Sequence, residues 1–444
     1  MTARAVEPAR TSAVRTGIRR LRRNRLVRQN LLLFIGGITS GVGGFVYHAI
    51  AGRVLGPEEY GEVASLFALY TVGMAVNLIL MVVIARYSAA LAGRDLPAGI
   101  RYVVNRSTLL LVIPSVVFVV LFAAAAIPIA DFLHLRSPLP VVWLGIALAA
   151  CWYMAIPRGA LQGIQRFGGL SFNQAFELIA RTTTLVALLL LGLGVSGAVL
   201  ALLAGSFVAL VAGHLWLRNA IPKTGHPVSL RTMFSFALTA SAGTIGITLL
   251  YNVDVVLAKH YLDAHGAGIY GGLNKISVII YYGTLSVSQV LFPRVVEAVA
   301  QRAHPGRLLL LSAGLIAIAG LIAIGIFAAV PWLVVNVLFG QAFHDADAFI
   351  VPVAISGLCL SLCNLLVQFF MAVHDRVFIP ILAAGCVLEA VLIVELHGGV
   401  VQVVGCVLST LATLLAALAV RAFLLMPSLH PAMVQEEAPG PADA

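Results

Sequence analysis

Charge is what this sequence has least of. Only 10% of its 444 residues are charged while 61% are hydrophobic, where an ordinary soluble domain carries roughly a quarter charged residues. That balance excludes a soluble globular protein and leaves room for about twelve membrane spans of roughly 20 residues with short connections. Cysteine is scarce too: Cys151, Cys359, Cys363, Cys386 and Cys406 all fall within apolar runs and read as buried small hydrophobes. Cys359 and Cys363 share a helix face, but no histidine stands near them to complete a metal site. A GxxxxGK[ST] phosphate loop is missing, which excludes ATP hydrolysis by that route. Large hydrophilic loops are missing as well. The longest expected outer connection, around Asn336 to Asp347, holds His344, Asp345 and Asp347, too little to gather a lipid-facing catalytic site. The chain is therefore expected not to be an enzyme, and to need no cofactor or metal.

What positive charge there is lies concentrated. The first 29 residues hold nine arginines against one acid, Glu7. Such a tail suits the anionic lipids of a cytoplasmic leaflet. It does not suit nucleic acid, since the rest of the chain offers no reading element. Arg19-Arg20 and Arg22-Arg23 lack the context of a twin-arginine signal, and the first apolar run is too long for a signal core, so it reads as an uncleaved first span. Continuous apolar runs near 31–51, 63–85, 107–130, 140–158, 170–192 and 196–217 predict six helical spans, and runs near 236–261, 269–291, 308–331, 348–372, 377–396 and 400–425 predict six more. With the N-terminus inside, 23 of the 28 Lys and Arg fall on the cytoplasmic side, Arg158 among them, and both termini are cytoplasmic. The organisation expected is a cytoplasmic Arg-rich tail (1–29), a six-helix lobe (30–218), a cytoplasmic linker (219–235), a second six-helix lobe (236–426) and a disordered acidic tail (427–444). Arginine outnumbers lysine 25 to 3 and alanine and valine abound, the bias of a GC-rich bacterial genome, so the membrane expected is a bacterial inner or plasma membrane.

The two lobes read as copies. Tyr60-Gly61 and Tyr270-Gly271 open the second and eighth spans 210 residues apart, and Arg166 and Arg376 end the fourth and tenth at the same offset. Six spans per copy return the chain to the starting side, so the fold class expected is all-α integral membrane, two parallel six-helix repeats around a central cleft. Rocking one lobe against the other would expose that cleft to each face in turn.

At Arg53-Val54-Leu55-Gly56-Pro57-Glu58-Glu59-Tyr60-Gly61 the chain resembles the R-L-G-P-E-x-Y-G signature of bacterial polysaccharide flippases, in the multidrug, oligosaccharidyl-lipid and polysaccharide exporter superfamily. Gly159 to Phe167 is similar to the connection between their fourth and fifth spans. Asn252 to Arg294, with Asp254, Tyr270-Gly271 and Pro293, is similar to their seventh and eighth. The resemblance implies movement of an undecaprenyl-diphosphate-linked oligosaccharide from the cytoplasmic to the outer leaflet, in partnership with a polysaccharide polymerase and glycosyltransferases, for O-antigen or exopolysaccharide synthesis. The other readings are a multidrug extruder of the same architecture, exchanging organic cations for an ion, and a membrane scaffold for glycan enzymes that transports nothing.

Ionisable groups within spans are costly, roughly 2.5–3.5 kcal/mol on insertion scales, so those present should face a partner or a wet cavity. Glu177 and Arg181 stand i,i+4 on the fifth span in the favourable order. Arg181 either presents planar donors to a diphosphate or acidic sugar or forms, with Glu177, a neutral pair bridging helices. Glu389 stands at matching depth in the eleventh span, opposite Arg181 across the cleft or as a proton or sodium site. Asp254 and Lys275 reach similar depths on antiparallel neighbours and are expected to pair, as a gate or a static staple. Asn77 and Asn252 suit sugar hydroxyls if they line the cleft. The substrate-binding set is thus Arg181, Glu177, Lys275, Asn77 and Asn252, and Asp254 and Glu389 are the ion-coupling or gate residues. The Gly-Pro turn reads as structural, stopping the first span and placing Glu58 and Glu59 at the next helix N-terminus.

Overall fold

The computed structural model describes residues 25–222, 224–227, 235–301 and 305–426, with side chains described at all of these except 25–42, 235–241, 293, 299 and 300. The arginine tail before Arg25, linker residues 223 and 228–234 and the acidic end after residue 426 lie outside the described residues. Every regular element described is helical, as the unbroken apolar runs require: a backbone in lipid must satisfy its own hydrogen bonds.

Helix α1 (Arg25–Ala92) contains the first two spans, broken at Gly56. Gly56 takes φ +69°, a backbone region open to glycine at little cost, and Pro57 begins the second arm where its missing N–H is no loss. Then follow α2 (Pro97–Ala124), α3 (Ala126–Phe132), α4 (Leu139–Gly163), α5 (Phe167–Leu190) and α6 (Gly194–Arg218). The second half contains α7 (Ser235–Leu250), α8 (Val253–Tyr261), α9 (Ala264–Ala300), α10 (Gly306–Ala329), α11 (Pro331–Leu338), a 3-10 segment (Gln341–Phe349), α12 (Ile350–Ala372), α13 (Phe378–Glu395) and α14 (Val400–Leu425). Ten described stretches are long and apolar enough to cross a membrane. The first of them, Gly43–Ala92, is two spans, and α5, diluted by the polar residues discussed below, completes the twelve.

The halves repeat each other in detail. The third span is a long helix followed by a short one, α2 then α3, and so is the ninth, α10 then α11. These two spans are also the most lipid-facing, with 6% and 17% of their apolar windows buried, while α4 and the tenth span (Gln341–Ala372) reach 67% each. The turn after α4 has the bonds Ile164 N–H to Ala160, Gln165 to Gln162 and Arg166 to Leu161. The turn after α12 has Val373 to Phe369, His374 to Met371 and Asp375 to Phe370. Gln165 and His374 both take positive φ, 57° and 60°. This equivalence corrects the register expected at that point: Arg166 matches Asp375, one residue short of Arg376. The hydrogen-bonded ring that ends a helix sets the alignment, and the side chain beyond it does not.

The halves meet at the end of the bundle that bears Gly56, here called the distal end; the opposite, terminal end is where α1 begins and α14 finishes. A Cβ added to Gly268 at the start of α9 would lie 1.8 Å from the Pro57 carbonyl oxygen, and one on Gly61 would lie 3.0 Å from the Gly268 nitrogen. Tyr60 packs against Phe339 and Phe343, at 5.5 and 5.6 Å between rings. Arg53 donates to the Asn336 and Val337 carbonyls, and the His260 ring is bonded to the Phe132 carbonyl (2.6 Å) and stacked on its ring. The main apolar core runs through both halves. A separate cluster around Val83, Ile84, Ile100, Val104, Ile156 and Leu217 belongs to the terminal end of the first half alone.

Candidate functional site

Helix α5 carries its polar residues on one stripe, Asn173, Glu177 and Arg181, and turns that stripe inward. Asn173 is fully buried and Glu177 is 7% exposed. The i,i+4 pair forms as expected, Arg181 Nη2 lying 3.2 Å from Glu177 Oε1. Its closer partner was not anticipated. Arg158 Nη2 lies 2.6 Å from Glu177 Oε2, and Arg158 Nε donates to Asn173 Oδ1 at 2.6 Å. Asn173 in turn donates to the Ala209 carbonyl on α6, which fixes the amide with its oxygen toward Arg158. Placing Arg158 in a cytoplasmic connection is therefore wrong. Helix α4 continues to Gly163, and Arg158 is buried within it at 6% exposure. Removing one partner of such a buried pair leaves the other charge unpaired, at a cost of about 3–5 kcal/mol. Two guanidiniums on one carboxylate leave one positive charge over. Arg181 Nε is buried with no hydrogen-bond partner.

Around this cluster the neighbouring helices supply neutral groups. Tyr47 donates to the Ala198 carbonyl (2.9 Å), Tyr70 bonds Ser206 (3.0 Å) and Tyr60 bonds His48 Nδ1 (3.1 Å). His48 sits edge-on to Phe67 at 4.3 Å, and Lys275 of the second half lies over that same Phe67 ring, 5.4 Å from its centre. Phe67 and Lys275 thus join the halves by a cation–π contact, about three helical turns in from the distal end. Asn77 is 3% exposed and donates to the Cys151 carbonyl. It ties the second arm of α1 to α4.

In the second half the seventh span is discontinuous, α7 ending at Leu250 and α8 beginning at Val253. Asn252 occupies the N-cap position of the new helix with φ −132° and makes no side-chain cap bond; its side chain donates back to the Thr248 carbonyl, and its Oδ1 has no partner. Two residues on, Asp254 accepts from the Tyr270 hydroxyl (2.6 Å) and Asn274 Nδ2 (2.9 Å). Lys275 donates to Asn274 Oδ1 at 3.1 Å. The expected Asp254–Lys275 pair is therefore an aspartate–asparagine–lysine chain, because Asn274, adjacent to Lys275 on α9, reaches the carboxylate first. A cavity with roughly the room of one water molecule adjoins them, lined by Tyr251, Asp254, Tyr270, Asn274, Ser277 and Ser356 among others. Glu389 is fully buried, and neither carboxyl oxygen has a partner. It does not face Arg181. Helix α13, which bears Glu389, packs on α7, α8 and α14 of its own half. Among the described residues no group of three or more His, Cys, Asp or Glu is arranged to hold a metal ion.

Outside the apolar interior, Asp375 accepts both the Nε and Nη2 of Arg421 at 2.9 and 3.0 Å. That pair of hydrogen bonds holds its carboxyl below the usual range. Glu58 and Glu59, expected only as helix N-terminal acids, also pair with Arg136 at 3.2 and 2.6 Å. The stretch Arg53 to Gly61 is more than a turn: its Arg53, Pro57, Tyr60 and Gly61 make the contacts that join the halves.

The profile of the family described as "Polysaccharide biosynthesis protein" matches residues 26–299. No curated protein matches the sequence. Among solved structures the chain is similar to an inward-facing multidrug resistance MATE family transporter of the MOP superfamily, with TM-score 0.73, 14% identity, and coverage of 90% of this chain and 96% of that one. It is similar to an outward-facing MATE family transporter of that superfamily with the same identity and coverage and TM-score 0.64. A MOP superfamily transporter from Pyrococcus furiosus, described as having a binding pocket of reverse polarity that suggests a different function, also matches at 14% identity and the same coverage, with TM-score 0.61.

Proposed function

Since the chain belongs to the polysaccharide biosynthesis protein family, we propose that this membrane transporter flips an undecaprenyl-diphosphate-linked oligosaccharide from the cytoplasmic to the outer leaflet, by alternating access, for surface polysaccharide synthesis. The observation that carries this reading is the Arg158–Glu177–Arg181 cluster, a buried site with one positive charge to spare. A diphosphate headgroup needs such a site, and a low local dielectric strengthens the attraction. The polyprenyl tail stays in lipid. On this reading the protein sits in a bacterial inner or plasma membrane with both termini cytoplasmic, the distal end is the outer face, and anionic lipids, a polymerase and glycosyltransferases are its neighbours. Asp254 and Glu389, whose unpartnered oxygens lie in the second half, would take a proton or sodium ion and couple it to the return step. That discontinuous seventh span resembles the broken helices at which transporters hold coupling ions.

A second reading is favoured by the neighbours described as multidrug transporters: exchange of organic cations through Asp254 and Glu389. The spare charge of the first-half cluster would repel such cargo. A non-transporting scaffold is the third reading.

The test is genetic and chemical. The gene is deleted in its host, and lipid-linked oligosaccharide in the cytoplasmic leaflet and polysaccharide at the surface are quantified, with wild type or Arg181→Ala restored separately. Accumulation inside with loss outside, rescued by wild type alone, is the expected result. Rescue by both keeps the flippase and makes Arg181 structural. Unchanged glycan with raised sensitivity to cationic drugs replaces the flippase by the extruder. Unchanged glycan after Arg181→Ala, together with loss of co-purifying glycan enzymes on deletion, favours the scaffold.

A further inference from the structure

We infer that Arg158 sets the sign of the first-half site: by taking up Glu177 it leaves Arg181 with an uncompensated charge that receives a phosphate or diphosphate group. The inference rests on the reading of this half as the place where an anionic headgroup meets the protein.

A static ion pair needs one guanidinium per carboxylate, and here there are two. Arg158 makes the two shorter contacts, 2.6 Å each to Glu177 Oε2 and Asn173 Oδ1, while Arg181 reaches Glu177 Oε1 at 3.2 Å. The Asn173 amide is anchored to the Ala209 carbonyl, so its oxygen remains on Arg158. Arg158 is thereby neutralised in place, and Glu177 with it. What remains is Arg181, whose Nε is unpartnered although each guanidinium carries five donors. Among the described residues no second acid pairs with it. The first arm of α1 presents Tyr47 and His48, and the second arm presents Tyr70. Helix α4 adds Cys151, and α6 contributes Gly205, whose added Cβ would lie 2.9 Å from the Arg181 Cβ, together with Ser206. None of these side chains is a carboxylate, and a protonated His48 would only add to the positive charge. A buried cation without a counterion is costly, and a dianionic oxygen cluster is the chemistry that relieves it, through parallel N–H···O bonds.

The roles of charge and of scaffold separate by arithmetic. The cluster carries +1 in the wild type, 0 in Arg158→Met, +2 in Glu177→Gln and +1 again in the double variant Arg158→Met/Glu177→Gln. The full chain and the three variants are reconstituted in lipid nanodiscs and titrated with inorganic pyrophosphate by calorimetry. A parallel set uses nanodiscs containing a short-chain polyprenyl diphosphate. Glu177→Gln is expected to bind most tightly, wild type and the double variant to agree within about threefold, and Arg158→Met to bind at least about tenfold more weakly. A structural role for Arg158 predicts the opposite for the double variant, which would bind no better than Arg158→Met, and predicts weaker binding by Glu177→Gln. Either result overturns the inference, and so does binding of neither probe by any of the four proteins. If Arg158→Met fails to fold, the comparison of wild type, Glu177→Gln and the double variant still decides. The pattern with the lipid probe alone identifies a membrane-borne diphosphate; the pattern with both identifies the phosphate group itself. Should the charge pattern hold while deletion of the gene leaves glycans unchanged, the anion site stands and the flippase reading falls. Should deletion give the glycan defect while all four proteins bind alike, the flippase stands and this role of Arg158 falls.

Discussion

Asp375 and Arg421 form the kind of ion pair that Arg158 and Glu177 do not. Asp375 sits in the turn beyond the end of α12 and Arg421 in the C-terminal part of α14, and two hydrogen bonds from the guanidinium hold the Asp375 carboxyl below its usual range. A carboxyl whose folded pKa is depressed contributes stability that is present above the unfolded value, about 4, and is lost as pH falls through the folded value. Asp375→Asn is therefore expected to melt below wild type at pH 7, with the difference closing below about pH 4; melting curves of the purified proteins at pH 3 to 7 check this. A gap that persists at pH 3 would mean that the pair acts through packing alone. The Glu177–Arg181 contact was legible because i,i+4 spacing on one apolar helix leaves little choice of partner. Arg158 was not, since an apolar run that ends in an arginine reads as a helix end. The clue was the small-residue pair just after it: Gly159 and Gly163 pack on the Met81 and Ala85 carbonyls of α1, which requires the helix to continue past the charge. Asn274 was missed for a different reason, a neutral side chain being invisible to a search for charges.

Helix boundaries were readable wherever apolar character and helix ended together, as at α12, α13 and α14. They were not readable where helix outlasted apolar character, as in α2, which begins at Pro97 ten residues before the expected 107 and includes Arg101 and Arg106. Nor were they readable where a helix broke inside an apolar run, as at Ala125, Tyr251-Asn252 and Val330. Such breaks are set by packing against neighbours and leave hydropathy unchanged. Two glycines carry element-level predictions. Gly56→Ala places a side chain at φ +69°, a strain of about 1–2 kcal/mol, and should lower the melting temperature while preserving transport. Gly163→Leu puts its Cβ about where a contact of 2.4 Å to the Ala85 carbonyl now allows none. It should cost more, about 1–3 kcal/mol, because α4 must back away from α1. Equal melting of the second variant and wild type would show that this helix pair tolerates separation.

Across the whole molecule, duplication, twelve spans and the facing halves followed from even span counts and repeated turns, while the way the halves join did not. Arg53, Pro57, Tyr60, Gly61 and Gly268 make that junction from residues whose local role, stopping one helix and starting another, already accounts for their presence. Gly268→Val places a side chain 1.8 Å from the Pro57 carbonyl, so the distal ends should part. A cysteine placed at Tyr60, buried in the wild type, should then react with a membrane-impermeant maleimide in the Gly268→Val background and stay protected without it. Protection in both would mean that the halves close elsewhere. The contact of Gly61 with Gly268 also bears on bioenergetics. Where two backbones touch so closely that a methyl group has no room between them, a file of water has none either. The joined state therefore bars water and ions at the seam, and on the flippase reading proposed above a cell would hold its proton-motive force across the same cross-section that a bulky polar headgroup must cross.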